Sequence, residues 1–213
     1  MMPHLVIEYV LQGYAPGYNF TTPTNGFDDE TLKTIWRSAF PRGQSWANYT
    51  GLRALKCFPV KENLYALSEV TVTDMQDEAG RKGIRRAEID LFTTAECIDH
   101  LNARFERYPA EVHRRLDRKL SLNEWRKILD RTLPRFKGEP QVILTHPFKD
   151  ATDWQIIEAL VLKLALCRIG PIKRWGSLAS FTTLALDYRD ESSIVAIPKQ
   201  HINGIKAPVI DVS

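Results

Sequence analysis

The amino-acid sequence predicts an α+β fold: a mainly antiparallel sheet with a helical insertion over about residues 94–134 and a long core helix over about residues 152–169. Three observations predict it. Strand-like runs rich in β-branched and aromatic residues crowd into the first 92 positions, apolar spacings of three and four take over from Thr93, and strand-like runs return after Gly170. Strands in a block, then helices, then strands again describe segregated layers rather than a βαβ repeat.

The elements follow in order. Leu5 to Leu11 is a β-branched run that reads as a strand ending at Gly13. An aromatic loop with Tyr14, Gly17, Tyr18 and Phe20 leads to Asn25-Gly26, a step that favours a turn with positive φ. Asp28 and Asp29 precede Leu32, Ile35, Trp36 and Ala39, the pattern of an N-capped amphipathic helix that stops at Pro41. Leu52 to Val60 and Leu64 to Val72, separated by Lys61-Glu62-Asn63, predict a hairpin. After a polar loop from Asp74 to Gly83, Ala87, Ile89 and Leu91 alternate with Arg86, Glu88 and Asp90, so one face of this strand is buried and the other wet.

Thr93 and Glu96 are spaced as a capping box for a helix carrying Cys97, Leu101 and Phe105 on one stripe. Pro109 opens a second helix with Val112, Leu116 and Leu120 inward, and Ser121 with Glu124 opens a third that ends at Pro134. Gln141 to Thr145 is a short apolar strand, and Thr152 to Ile169 is a helix closed by Gly170 and Pro171. Ser177 to Tyr188 and Ser192 to Ile197 are read as a hairpin around Arg189-Asp190-Glu191, with Pro208 to Val212 as an edge strand.

Length and composition suit a single α+β domain spanning 1–213, with a basic helical subregion at 94–137. The chain has 213 residues, 44% of them hydrophobic and 26% charged. Cys57, Cys97 and Cys167 are far apart in sequence and read as reduced core residues rather than a disulfide framework. The N-terminal residues lack a basic segment followed by a long apolar one, and the apolar stretch Ala159 to Cys167 is broken by Lys163. The expectation is a cytoplasmic protein without a membrane partner.

Catalytic and metal motifs are absent from the sequence. Of the five histidines and three cysteines only Cys97 and His100 lie within four residues of each other, and no second such pair accompanies them, so no metal is expected. Neither a Walker loop, nor a dinucleotide fingerprint, nor a nucleophile elbow occurs, so no cofactor and no catalytic residue are assigned. Asp74, Asp77, Glu88 and Asp90 are the residue types that gather a divalent cation for a metal-dependent hydrolase. The alternation of Glu88 and Asp90 with apolar residues already accounts for both as solvent-facing.

Charge is more informative. Net charge is only +3, yet residues 104–137 hold eleven Lys or Arg against five Asp or Glu. Arg114, Arg115, Arg118 and Lys119 lie at helical spacing opposite Val112, Leu116 and Leu120, forming one cationic face. Arg126, Lys127, Arg131, Arg135 and Lys137 extend it, and Trp125 or Tyr108 is expected to offer a stacking surface to a nucleic acid base. Arg81, Lys82 and Arg85 add cations around the glycine-flanked loop of Gly80 and Gly83. Such a surface suits an acidic protein partner or, as the alternative, a nucleic acid whose phosphates the cations neutralise.

Three stretches carry a family resemblance: Gly17-Tyr18-Asn19-Phe20-Thr21-Thr22-Pro23-Thr24-Asn25-Gly26, the loop Asp74 to Gly83 between two strands, and Leu178-Ala179-Ser180-Phe181-Thr182-Thr183. In that order they resemble the N-terminal domain of bacterial GTPase-associated proteins, components of conflict or antiviral defence systems. The resemblance implies a non-catalytic adaptor that associates with a GTPase or an effector subunit, and it brings no catalytic residues. The sequence departs from that pattern at Tyr18 and Asn19 and at Glu78-Ala79 before Gly80. The combined expectation is a non-enzymatic interaction or adaptor subunit of a multi-protein prokaryotic complex.

Overall fold

A computed structural model describes residues 3–11, 17–40, 46–119, 142–146, 151–168, 177–179, 192–199 and 209–211. Within them the apolar runs become β1 (His4–Val10), β2 (Gly17–Phe20), β3 (Arg53–Lys61), β4 (Leu64–Val72), β5 (Arg85–Thr93), β6 (Val142–His146), β7 (Ser177–Ala179), β8 (Ser192–Pro198) and β9 (Val209–Asp211). The helices are α1 (Asp29–Ser38), α2 (Cys97–Phe105), α3 (Ala110–Lys119) and α4 (Ala151–Arg168). The strands form one sheet in the order β2-β1-β5-β4-β3-β7-β8-β6-β9.

The first six strands in that order pair antiparallel, which agrees with the expected fold class. The turn between β3 and β4 places Asn63 at φ 60, a left-handed conformation that asparagine tolerates better than most side chains. Beyond β7 the ladders are parallel, β7 to β8, β8 to β6 and β6 to β9. The expected hairpin of Ser177 to Tyr188 with Ser192 to Ile197 is therefore corrected. Leu178 faces Ile194 in a parallel ladder, and parallel neighbours need a crossover rather than a tight turn. The tail does add an edge strand, β9. So does Gly17–Phe20, which the sequence reading leaves as loop and which pairs with Ile7 to Val10. The third expected helix, 121–133, and the turn 189–191 lie outside the described residues.

Side chains opposite each other in register share a face. Leu5, Ile7, Ala54, Phe58, Ala66, Val70, Ala87 and Ile89 fall on one face, where Ile35 and Ala39 of α1 join the same buried core. Lys56 Nζ donates to Phe40 O from that face at 3.4 Å. Leu55, Cys57, Leu67 and Phe92 fall on the other. There α2 and α4 lie over the sheet: His100 stacks on Phe92 at 4.6 Å, and Leu101, Ile157, Leu160 and Val161 are buried. The sheet is thus sandwiched between α1 and the α2–α3–α4 layer, with α3 packed on α4.

The Asp28 cap forms as read, whereas the Thr93–Glu96 pair forms ahead of α2 and does not cap it, since the N-cap of α2 is Glu96 and makes no side-chain cap bond. Thr93 N and Oγ1 donate to Glu96 Oε2 at 2.8 and 2.7 Å just before α2, although the first helical residue is Cys97. Asp28 Oδ1 accepts from Thr31 N at 2.7 Å, and that bond, with help from the Thr31 hydroxyl and Lys61, holds the Asp28 carboxyl at about 2 against an ordinary 3.8. A depressed carboxylate contributes stability that is present above its unfolded value and lost as pH falls through its folded value. The stability difference between the wild type and Asp28→Ala is therefore expected to shrink as pH drops from about 4 to about 2, measured by urea unfolding at each pH. A difference independent of pH would remove the cap's carboxylate as its source.

Candidate interaction site

The two groups of predicted cations occupy opposite sides of the sheet. On α3, Arg114 pairs with Glu111 one turn back at 2.6 Å, and Arg115 reaches Asp153 of α4 at 3.4 Å. Arg118 and Lys119 end the same helix, while Arg126 and Lys127, with Trp125, lie outside the described residues. Tyr108, read as a stacking surface, is corrected: it is buried, and its hydroxyl donates to Glu158 Oε2 at 3.0 Å. Aromatic composition next to arginines does not reveal which way a ring points.

Arg81, Lys82 and Arg85 belong to the other side. Asp77 organises their loop, its Oδ1 accepting from Ala79 N at 2.9 Å and Arg81 N at 2.8 Å, its Oδ2 from Arg81 Nε at 2.6 Å. Those bonds, Arg81 N–H foremost, hold the Asp77 carboxyl below its usual range. Positive φ at Gly80 and Gly83 lets the chain turn back into β5, and Lys82 is exposed. Arg85, on the α1 face by its register with Val72, sets its guanidinium 4.9 Å from the Phe40 ring, and its backbone N–H donates to the Tyr18 hydroxyl at 2.9 Å.

Around that arginine an aromatic cluster assembles. Tyr9 and Tyr18 meet edge to face at 5.4 Å, and Tyr18 and Phe40 at 4.9 Å. Trp36 donates its Nε1–H to Tyr18 O at 3.2 Å and stays 46% exposed, so the residue assigned to the buried stripe of α1 lies at its margin. Exposed Leu11 follows β1, and exposed Met75 sits in the loop before β5, at this same end of the sheet. Partial desolvation, then the carboxylates of Asp77 and Glu78, raise the Tyr9 phenol, which places acid beside the rings as well as base. Tyr9, Trp36 and Phe40 are the site residues that the sequence reading misses. The pair of aromatics Trp36 and Phe40 just before Pro41 is a weak signal for two of them, and Tyr9, the lone aromatic of residues 1–12, carries none.

The candidate carboxylates do not converge. Asp90 meets His4 Nδ1 at 2.8 Å and lies 3.8 Å from His100, Glu88 pairs with Arg86 at 3.0 Å, and Asp77 serves its own loop. Among the described residues no group of three or more His, Cys, Asp or Glu is gathered in a way that would hold a metal ion.

A polar cluster that runs from exposed Arg53 to buried Glu158 joins the helical layer to the sheet. Arg53 of β3 pairs with Glu69 of β4 at 3.1 Å, and Arg104 of α2 also pairs with Glu69. Glu158 of α4, 1% exposed, lies 3.9 Å from Arg53 and accepts from Tyr108.

No family model, no curated protein and no solved structure matches this chain. Among the described residues no helix is long and apolar enough to cross a membrane. Of the three stretches that carry the resemblance to GTPase-associated proteins, the first two meet at the aromatic cluster, through Tyr18 and through the loop of Asp77. The third begins in β7, on the far side of β3.

Proposed function

We propose that the chain is a non-enzymatic interaction subunit of a multi-protein complex, and that it docks a partner protein through the surface formed by Tyr9, Tyr18, Trp36, Phe40 and Arg85. One observation carries this reading: half-exposed aromatic side chains are locked against each other and against an arginine, with exposed Trp36 beside them. Rigid Trp, Tyr and Arg side chains lose little freedom on association and dominate the energetics of protein interfaces. Exposed Glu78 near Tyr9 favours a protein over a nucleic acid, because a carboxylate at the rim with no cation partner among the described residues repels phosphates. Engagement of Arg114 by Glu111 and of Arg115 by Asp153 further reduces the cationic face that the nucleic-acid alternative needs. The resemblance adds a GTPase or effector as the partner and a prokaryotic cytoplasm as the setting.

The test is capture of the full chain from its native cells, with the mass of the complex and its nucleic-acid content measured. Trp36→Ala and Tyr9→Ala are each expected to weaken partner binding at least tenfold, roughly 1.4 kcal/mol or more. Unfolding midpoints should stay close to that of the wild type. Retention of the partner by both variants, or recovery of the isolated chain alone, would overturn the reading. Nucleic acid released by moderate salt would point to the α3 face instead.

A further inference from the structure

We infer that Glu158 is a proton-operated latch between the helical layer and the sheet: neutral Glu158 leaves Arg53 on Glu69, and ionised Glu158 draws the Arg53 guanidinium across to itself. The geometry is that of a carboxyl group short of donors. Both nearby guanidiniums are committed to Glu69, Arg53 at 3.1 Å and Arg104 by a direct pair, which leaves Glu158 a guanidinium 3.9 Å away and one hydroxyl, that of Tyr108, at 3.0 Å. Its other oxygen, Oε1, is sealed from solvent and has no hydrogen-bond partner. An anion with one bare oxygen in such surroundings is strongly disfavoured, and the neutral acid much less so.

One turn earlier on α4, Trp154 Nε1 is likewise sealed and without an acceptor. Residues four apart share a helix face, so an ionised Glu158 has a second donor within local reach. The charges around the site complete the argument. From β3 there is Arg53, from β4 Glu69, from α2 Arg104, and from the turn before α3 Tyr108, whose carbonyl faces His113 Nε2 at 3.1 Å. Of the other charged side chains described on α4, Asp153 faces Arg115 and Lys163 faces Asp117 at 3.1 Å. Two arginines therefore stand against one carboxylate while Glu158 is neutral, and against two once it ionises. The step releases one proton from Glu158 to solvent, moves Arg53 from one carboxylate to the other and gives Trp154 Nε1–H an acceptor.

Burial, opposed in part by Arg53, raises the Glu158 carboxyl from 4.5 to about 7, which puts the step near neutral pH. A carboxyl raised on folding contributes stability that is complete below its unfolded value and lost as pH rises through its folded value.

The experiment is an NMR titration of the full wild-type chain between pH 4 and 9, following the Glu158 side-chain carboxyl carbon, the Arg53 Nε–H and the Trp154 Nε1–H. All three are expected to move with one midpoint near 7. Glu158→Gln should abolish the movement at Arg53 and Trp154 and make stability less dependent on pH over the same interval. A carboxyl midpoint below about 5 would overturn the latch. So would Arg53 and Trp154 signals that ignore the Glu158 midpoint, a result the wild-type titration delivers even if the variant does not fold.

Discussion

Phe92→Ala is expected to lower the free energy of unfolding by about 3–5 kcal/mol, the usual cost of emptying an aromatic position in a closed core. Phe92 is 1% exposed and lies between the sheet and α2, stacked on His100 at 4.6 Å and, across the β4–β5 ladder, on Tyr65 at 6.3 Å. Truncation removes the floor on which His100 rests, so α2 keeps Cys97 and Leu101 in the core but loses a neighbouring support. His100 supplies a second readout. Its imidazole titrates below the ordinary histidine value chiefly because it is desolvated, with Asp90 opposing. Water admitted by the cavity should move its midpoint back upward in a proton NMR titration, while urea unfolding reports the stability loss. A loss under about 1 kcal/mol would mean that the site collapses around the smaller side chain.

Arg104→Met comes next in size, at about 2 kcal/mol. Arg104 is 18% exposed and its partner Glu69 is 28% exposed, so the pair lies between exposed ion pairs, which contribute little, and buried ones, whose disruption is strongly destabilising. Removal of Arg104 leaves Glu69 with Arg53 alone, at 3.1 Å. Glu69→Gln in the same chain should recover at least half of the loss, because the partly buried carboxylate that lacks compensation is gone. If Arg104→Met unfolds at the wild-type denaturant concentration, Arg53 by itself satisfies Glu69, and the cross-link from α2 to β4 carries no net stability.

The parts of the fold that local chemistry encodes are visible in the sequence. Asn63 at the tip of β3–β4 and Asp28 ahead of α1 act within four residues of themselves and are found where the sequence places them, and the Thr93–Glu96 pair forms locally although it does not cap α2. What local pattern does not carry is direction and partnership. Alternation is identical for parallel and antiparallel strands, so the β7–β8 ladder reads as a hairpin until its register is known. Four residues beginning with glycine give β2 no strand signal of its own; it exists because β1 offers it a ladder. The same reasoning applies to the site. Arg81, Lys82 and Arg85 could be picked out by charge, but Tyr9, Tyr18, Trp36 and Phe40 surround Arg85 only after β1, β2 and α1 have packed. Tyr108 and Glu158 are 50 positions apart, which no periodicity connects.

The change of ladder direction at β7 has a kinetic meaning. β3, β4 and β5 follow one another along the chain, whereas in the parallel half residue 142 must find 194 and residue 143 must find 209. Closing a long loop costs entropy before any distant contact rewards it, so near neighbours in sequence assemble sooner. The meander of β3, β4 and β5 is then the seed. Lys56 and Cys57, the residues through which β3 meets Ala179 and Leu178, form the threshold that the later strands must cross.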